Sequence, residues 1–173
     1  MRARRWRIGM AGAMVASGIG TLLAMAQPVG AATSAGTQYS ITGSAQFSSG
    51  LNVAVAPGSY SYSFTGDLAS VAPGGPTGTI TATGAATGGC LGGYGGGQAV
   101  VAWNDGQTSD VAYLTQSVGA VVVVTGQVNS GEYVGSALTG ALAFQVSSPQ
   151  DCVGSGVTAA NFTGGANVGA SAQ

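Results

Sequence analysis

The sequence predicts an all-β protein: one antiparallel domain, a β-sandwich or flattened barrel of about eight or nine strands, held by one disulfide. Three observations predict it. Apolar and polar residues alternate with period two in segment after segment. Gly, Ala, Ser, Thr and Val dominate, while helix formers such as Glu, Lys and Leu are scarce. The only two cysteines, Cys90 and Cys152, belong to a chain that begins like an exported protein.

That beginning is a basic start, Arg2, Arg4, Arg5 and Arg7, followed by an apolar run from Ile8 to Ala26 and small residues up to Ala32. The pattern is that of a secretory signal peptide cleaved after Ala31 or Ala32. An uncleaved membrane anchor is the alternative for this segment, because its apolar run is longer than usual. Arg4-Arg5 invites a twin-arginine reading, but four arginines also suit the general export route. The expected organisation is therefore a cleaved segment 1–32, a flexible leader 33–37 and one β domain over 38–173, located outside the cell.

Cleavage removes every basic side chain, since the four arginines are the only Lys or Arg and there is no His. Five acids remain: Asp67, Asp105, Asp110, Glu132 and Asp151. Without cations the domain cannot release counterions from phosphate, so nucleic acid is excluded as a partner. Anionic membranes gain no attraction either. The expected partners are an extracellular glycan or another protein.

The elements follow in order. Gln38–Phe47 alternates without a fault, placing Tyr39, Ile41, Gly43, Ala45 and Phe47 on one face. Leu51, Val53 and Val55 continue the pattern until Pro57-Gly58 turns the chain. Ser59–Leu68 alternates again, with Tyr60, Tyr62, Phe64 and Leu68 in phase. Ala72–Pro76 is a loop by composition, and Thr77–Ala85 is a third strand of small residues. The glycine-rich piece 84–97 reads as a flexible loop or irregular edge strand pinned by Cys90. It has no phosphate-loop register and no lysine to serve one.

Gln98–Trp103 and Gln107–Gln116 form a hairpin whose register can be derived. A two-residue Asp-Gly turn would put Asp110 on the apolar face beside Trp103, at a cost of several kcal/mol. A three-residue loop, Asn104-Asp105-Gly106 with Gly106 left-handed, sets Trp103 opposite Gln107 instead. Ala99, Val101, Trp103, Val111 and Tyr113 then share a face. Gly119–Val128 is expected to be buried on both faces or nearly so. After a turn at Asn129–Gly131 the chain runs extended from Glu132 to Ser147, with Leu138, Leu142, Phe144 and Val146 in phase. Ser147–Cys152 is a loop that carries Cys152 to Cys90, and Val157–Ala166 supplies a last strand. The bridge closes a loop of about 63 residues, worth roughly 4 kcal/mol.

From Cys90 onward the chain resembles a group of small secreted proteins of high-GC Gram-positive bacteria, an actinobacterial exported family of unknown function. The similarity rests on WNDGQTSD (103–110), VVVVTGQVNSGEYVG (121–135) and the second cysteine followed by GVT (156–158), and covers roughly residues 80–165. It implies export, a β fold and a Cys–Cys bridge, and brings no activity.

Chemistry is narrowly bounded. An activated Ser or Thr nucleophile needs a base, and His and Lys are absent. No cofactor is indicated. Paired carboxylates are the acid–base option left, with Asp105 and Asp110 the nearest pair. A hard cation such as calcium would have Asn104, Asp105 and Asp110 to draw on, at a spacing unlike an EF-hand loop. For a ligand-binding surface, Tyr94 and Tyr133 stand in loop or turn contexts where a ring is exposed. The expected function is a secreted, non-enzymatic binding or structural module. The alternative is a carboxylate-dependent glycan hydrolase, calcium-assisted or not.

Overall fold

A computed structural model describes residues 36–53, 58–146 and 149–170. The chain divides into two compact units, Met1–Ala31 and Ala32–Gln173, and every described residue belongs to the second. The expected signal segment, the first residues of the leader and the turn at Pro57 lie outside the described residues.

Eight strands follow one another: β1 (Thr37–Leu51), β2 (Gly58–Ser70), β3 (Thr77–Gly89), β4 (Gly92–Trp103), β5 (Thr108–Val118), β6 (Val121–Gly131), β7 (Ser136–Gln145) and β8 (Val157–Ala170). Each pairs antiparallel with the next, and β8 pairs back onto β1, so the sheet closes on itself. Of the two expected architectures the barrel is the one formed, and the sandwich is corrected. Long strands with unbroken period-two patterning present one continuous apolar face, and curling the sheet buries all of it. Eight strands at about 4.8 Å spacing and the usual tilt enclose a cylinder about 15 Å across, which inward side chains nearly fill.

The inward residues are those the alternation selected. Tyr39, Ile41 and Ala45 of β1, and Leu68 of β2, are buried. Phe162 of β8 is 1% exposed. Its ring lies over the paired Gly43 and Gly66, where a side chain on either glycine would collide with it, and it touches Phe64 and Phe144 edge-on or tilted at 5.6 and 5.4 Å. Phe162→Ala is expected to cost about 3–5 kcal/mol, read as a lowered urea midpoint with an unchanged m-value.

The Trp103 hairpin has the derived register. The Trp103 amide donates to Gln107 O (2.9 Å), Gly106 has φ +89°, and Val101 faces Ser109. Asp110 is thereby opposite Val100 on the outer wall. Three expectations are corrected. The glycine-rich piece is neither loop nor edge. It is the β3–β4 ladder itself, in regular register from Gly78↔Trp103 to Gly89↔Gly92, because its glycines make room for rings from neighbouring strands. β6 is not buried on both faces: Val121 and Val123 are each 48% exposed, since a single-walled barrel leaves every second residue outside. Thr37, expected in the flexible leader, already belongs to β1 and pairs with Val168, because the strand order closes there.

The outer wall is divided. β2 and β3 present Ser61, Ser63, Thr65, Thr79, Thr81 and Thr83 to the outside, all exposed. This hydroxyl-rich wall is the opposite of a lipid-facing apolar belt. Apolar side chains collect instead on β4–β6, where Leu114 and Val118 stand out beside Tyr94. Among the described residues no helix is long and apolar enough to cross a membrane.

Cys90 and Cys152 form the disulfide, with Cα atoms 6.0 Å apart. The bond joins the β3–β4 turn to the β7–β8 connection, and these lie four strands apart on opposite sides of the barrel. Facing walls of such a barrel are about 15 Å apart, so the connection must reach over the mouth. It does so through one turn of 3-10 helix, Pro149–Val153. The tail of β1 fills the gap between the two cysteines: the Val53 amide donates to Cys152 O (2.8 Å), and the Cys90 amide donates to Asn52 O (3.0 Å). We call this the disulfide end, and the opposite one the tryptophan end.

Candidate functional site

The tryptophan end is sealed. Trp103 sits between Tyr39 and Tyr133, with ring centroids 5.4 Å from each. Its Nε1 donates to Ser109 Oγ (2.9 Å), and Ser109 Oγ donates to the Glu132 carbonyl (2.6 Å). The Tyr39 hydroxyl donates to that of Tyr133 (3.0 Å). Tyr133 adopts φ +64°, the one left-handed non-glycine residue described. That conformation is held only where surrounding contacts over-determine it, and here it folds the ring back over the barrel. The expected exposure of Tyr133 is thus corrected. Its turn position gave no sign that the turn closes onto Trp103.

The disulfide end is built differently. Phe47, Tyr60, Tyr62 and Phe144 turn inward but are only half-buried. Phe47 contacts Tyr60 edge-on at 5.9 Å and Phe144 at 6.3 Å. β3, paired with β2, and β4 beyond it offer only small inward residues here: Gly84, Ala86, Gly95 and Gly97. One row around the barrel runs Tyr62, Gly84, Gly97, Tyr113. A Cβ on Gly84 would lie 2.5 Å from Tyr62 Oη, and one on Gly97 would lie 2.8 Å from Tyr113 Oη. The two phenol rings therefore lie flat in a saddle that only glycine permits.

A cavity of about 120 Å³ runs along the lumen, lined by these rings at the disulfide end and reaching Trp103, Val128 and Tyr133 at the other. Its lining is almost wholly carbon, from residues such as Val122, Val124 and Phe144. The polar groups on it are few. Ser117 Oγ donates to Gly93 O (3.3 Å), and Tyr113 Oη donates to Thr83 O (3.4 Å). Tyr62 Oη is buried and has no partner in hydrogen-bonding geometry. Burial raises the Tyr62 pKa, offset in part by the Tyr113 and Thr115 hydroxyls beside it. No acid is among the residues that line this space: Asp67 and Asp110 point outward, Asp105 and Glu132 belong to turns at the far end, and Asp151 lies in the β7–β8 connection.

An unpaired buried hydroxyl costs about 1–3 kcal/mol. Tyr62→Phe keeps the ring and removes that group, so it is expected to raise stability by about 1 kcal/mol, measured as a higher urea midpoint. Burial also raises the pKa of Tyr39, Tyr60 and Tyr113, with the Tyr39–Tyr133 hydrogen bond adding to it at Tyr39. The fold thus favours the neutral phenols. Their contribution is complete below the unfolded value, about pH 10, and is lost as the pH climbs beyond it. Urea midpoints should be flat up to about pH 9 and fall steeply above pH ~10, in step with tyrosinate absorbance.

The other sequence candidates are dispersed. Asn104 Nδ2 donates to Thr77 Oγ1. Asp105 accepts from the Gln107 amide (3.0 Å) and from its side chain (3.4 Å). Asp110 accepts from Ser130 Oγ. The three supposed cation ligands are each engaged by a different neighbour. Among the described residues no three acids or cysteines gather as a metal cluster. Tyr94 is 70% exposed, but on the outer face of β4 rather than in a loop. Sequence reasoning placed Tyr60 and Tyr62 in the core; both do turn into the barrel, but they are only half-buried at its end. It missed that their neighbours on the adjoining strands are too small to fill the space, a signal present in the inward glycines of 84–97.

Comparison with known proteins matches the chain to no family model, no curated protein and no solved structure.

Proposed function

We propose that the protein is a secreted, non-enzymatic binding module whose barrel holds a small, neutral, mainly apolar molecule. The observation that carries this reading is the uncharged, carbon-lined cavity of about 120 Å³ in the lumen. Eight-stranded barrels are wide enough either to fill with side chains or to hold one small ligand. Here the lumen keeps an unfilled space lined by residues of both ends. The disulfide and the exporting start of the chain support a place outside the cell.

The alternative, a glycan hydrolase working with two carboxylates, has less behind it. Asp151 is at the opposite end of the barrel from Asp105 and Glu132, and Asp105 and Asp110 are hydrogen-bonded in different directions. A polysaccharide would also find little to hold in the lumen, where hydrogen-bonding groups are few. Its natural platform would be Tyr94 on the outer wall.

A thermal-shift screen of the mature, disulfide-bonded protein tests the reading. A small apolar molecule at 100 times its Kd should add about 2.7 kcal/mol of stability, a rise of several degrees in Tm. Filling the lumen with Val124→Phe should abolish that rise, while Tyr94→Ala should leave it intact. Stabilisation by soluble glycans that depends on Tyr94 would overturn it.

A further inference from the structure

We infer that the lumen selects a single-ring, oxygen-bearing molecule of the phenol class, its hydroxyl taken up by Tyr62. This rests on the lumen being the binding site. It goes beyond that reading by fixing the size, charge and functional group of the occupant.

Size comes first. A cavity of about 150 Å³ lined by Leu, Ile and Phe admits benzene. The cavity here, about 120 Å³, is of that order, and one six-membered ring is the guest its volume suits. The wall suits a ring as well. Phe47, Tyr60, Tyr62 and Phe144 surround the space, with centroid separations among them of 5.9 to 6.4 Å. A guest ring resting against them gains edge and offset contacts that an aliphatic guest does not.

Charge is decided by what is missing from the lining. No cationic side chain follows the arginines at the start of the chain, and none of the acids faces the cavity. An ionised guest would lose its hydration and gain no counter-charge. The guest is therefore neutral.

The functional group is decided by Tyr62. Its hydroxyl is buried and unpartnered, whereas Tyr113 has directed its proton to Thr83 O and Ser117 has directed its own to Gly93 O. A guest oxygen placed beside Tyr62 Oη gives that hydroxyl the partner in hydrogen-bonding geometry that the neighbouring Tyr113 and Thr115 hydroxyls do not. A guest without oxygen leaves it as it is. A phenol supplies both a donor and an acceptor at the edge of a ring, which lets it pair with Tyr62 while its carbon atoms meet carbon.

Calorimetric titration of the mature, disulfide-bonded protein with phenol, toluene and benzoate tests this. Phenol and toluene have nearly the same shape and differ in hydrogen bonding, and benzoate adds the charge. Phenol is expected to bind about 10-fold more tightly than toluene, and benzoate not at all. Tyr62→Phe should bring phenol down to the toluene value and leave toluene unchanged. Equal affinities for phenol and toluene, both indifferent to Tyr62→Phe, would overturn the phenol assignment and leave the lumen as a binding site. Tight binding of benzoate would overturn the neutral-guest requirement. Absence of binding by all three, in protein whose melting shows it folded, would overturn the lumen reading along with this one. Val124→Phe gives the location: a folded variant that still binds phenol would place the guest elsewhere and sink the inference.

Discussion

Replacing Cys90 and Cys152 together by alanine will cost the barrel about 4 kcal/mol, among the largest effects available to a two-residue change in this chain. The residues are 62 positions apart, so the bond restricts a long loop of the unfolded chain. Freed of it, the unfolded ensemble expands. The urea m-value should therefore rise as the midpoint falls, because more surface becomes exposed on unfolding. A folded-state effect is expected as well. The bond is what brings the β7–β8 connection across the mouth to the β3–β4 turn. Without it, only backbone contacts such as Val53 to Cys152 and Cys90 to Asn52 keep the crossing in place. A guest in the lumen should leave faster from the double variant than from the disulfide-bonded protein, with stopped-flow displacement as the measure. A loss of stability below about 1 kcal/mol would mean that the crossing is held by those backbone contacts rather than by the bond.

Gly97→Ala is expected to destabilise by about 3 kcal/mol, the upper part of the range for overpacking. The added methyl would stand 2.1 Å from Thr83 O and 2.7 Å from the Gly84 Cα. These are backbone atoms of the neighbouring strand, so no side-chain rotation relieves them. The Tyr113 hydroxyl, 2.8 Å away, would have to leave as well, and with it the bond to Thr83 O. Gly58→Ala is the control: nothing lies within 4 Å of its Cβ position, and it should change stability by less than about 1 kcal/mol. If the two substitutions unfold at the same urea concentration, the flat stacking of Tyr113 on Gly97 is wrong.

Much of the fold could be read from the sequence because one physical signal repeats. The alternation placed Tyr39, Ile41, Tyr60, Tyr62 and Phe64 inward, and the cost of burying Asp110 chose the Trp103 hairpin register. The cysteine pair needed only counting. Closure was not legible, since a period-two pattern is the same for a sheet folded against another and for a sheet curled on itself. The valines of 121–124 misled for a related reason. A run of branched residues looks doubly buried, yet a one-walled barrel gives its even positions to the lumen and its odd ones to solvent. The site itself was hidden in what the sequence lacks. Gly84 and Gly97 carry no side chain to alternate, and their meaning emerges only when β3 and β4 place them beside Tyr62 and Tyr113. Tyr133 was misplaced because a turn composition says nothing about the direction in which the turn folds back.

The return of β8 onto β1 has one more consequence. Through the heart of each strand, amide and carbonyl groups find their partners inside the same molecule, leaving no open row on which a neighbouring chain could dock as an added strand. A chain this rich in Val and Thr and this poor in charge has the composition that fibril growth favours. Once folded, its described strands offer a growing fibril no template.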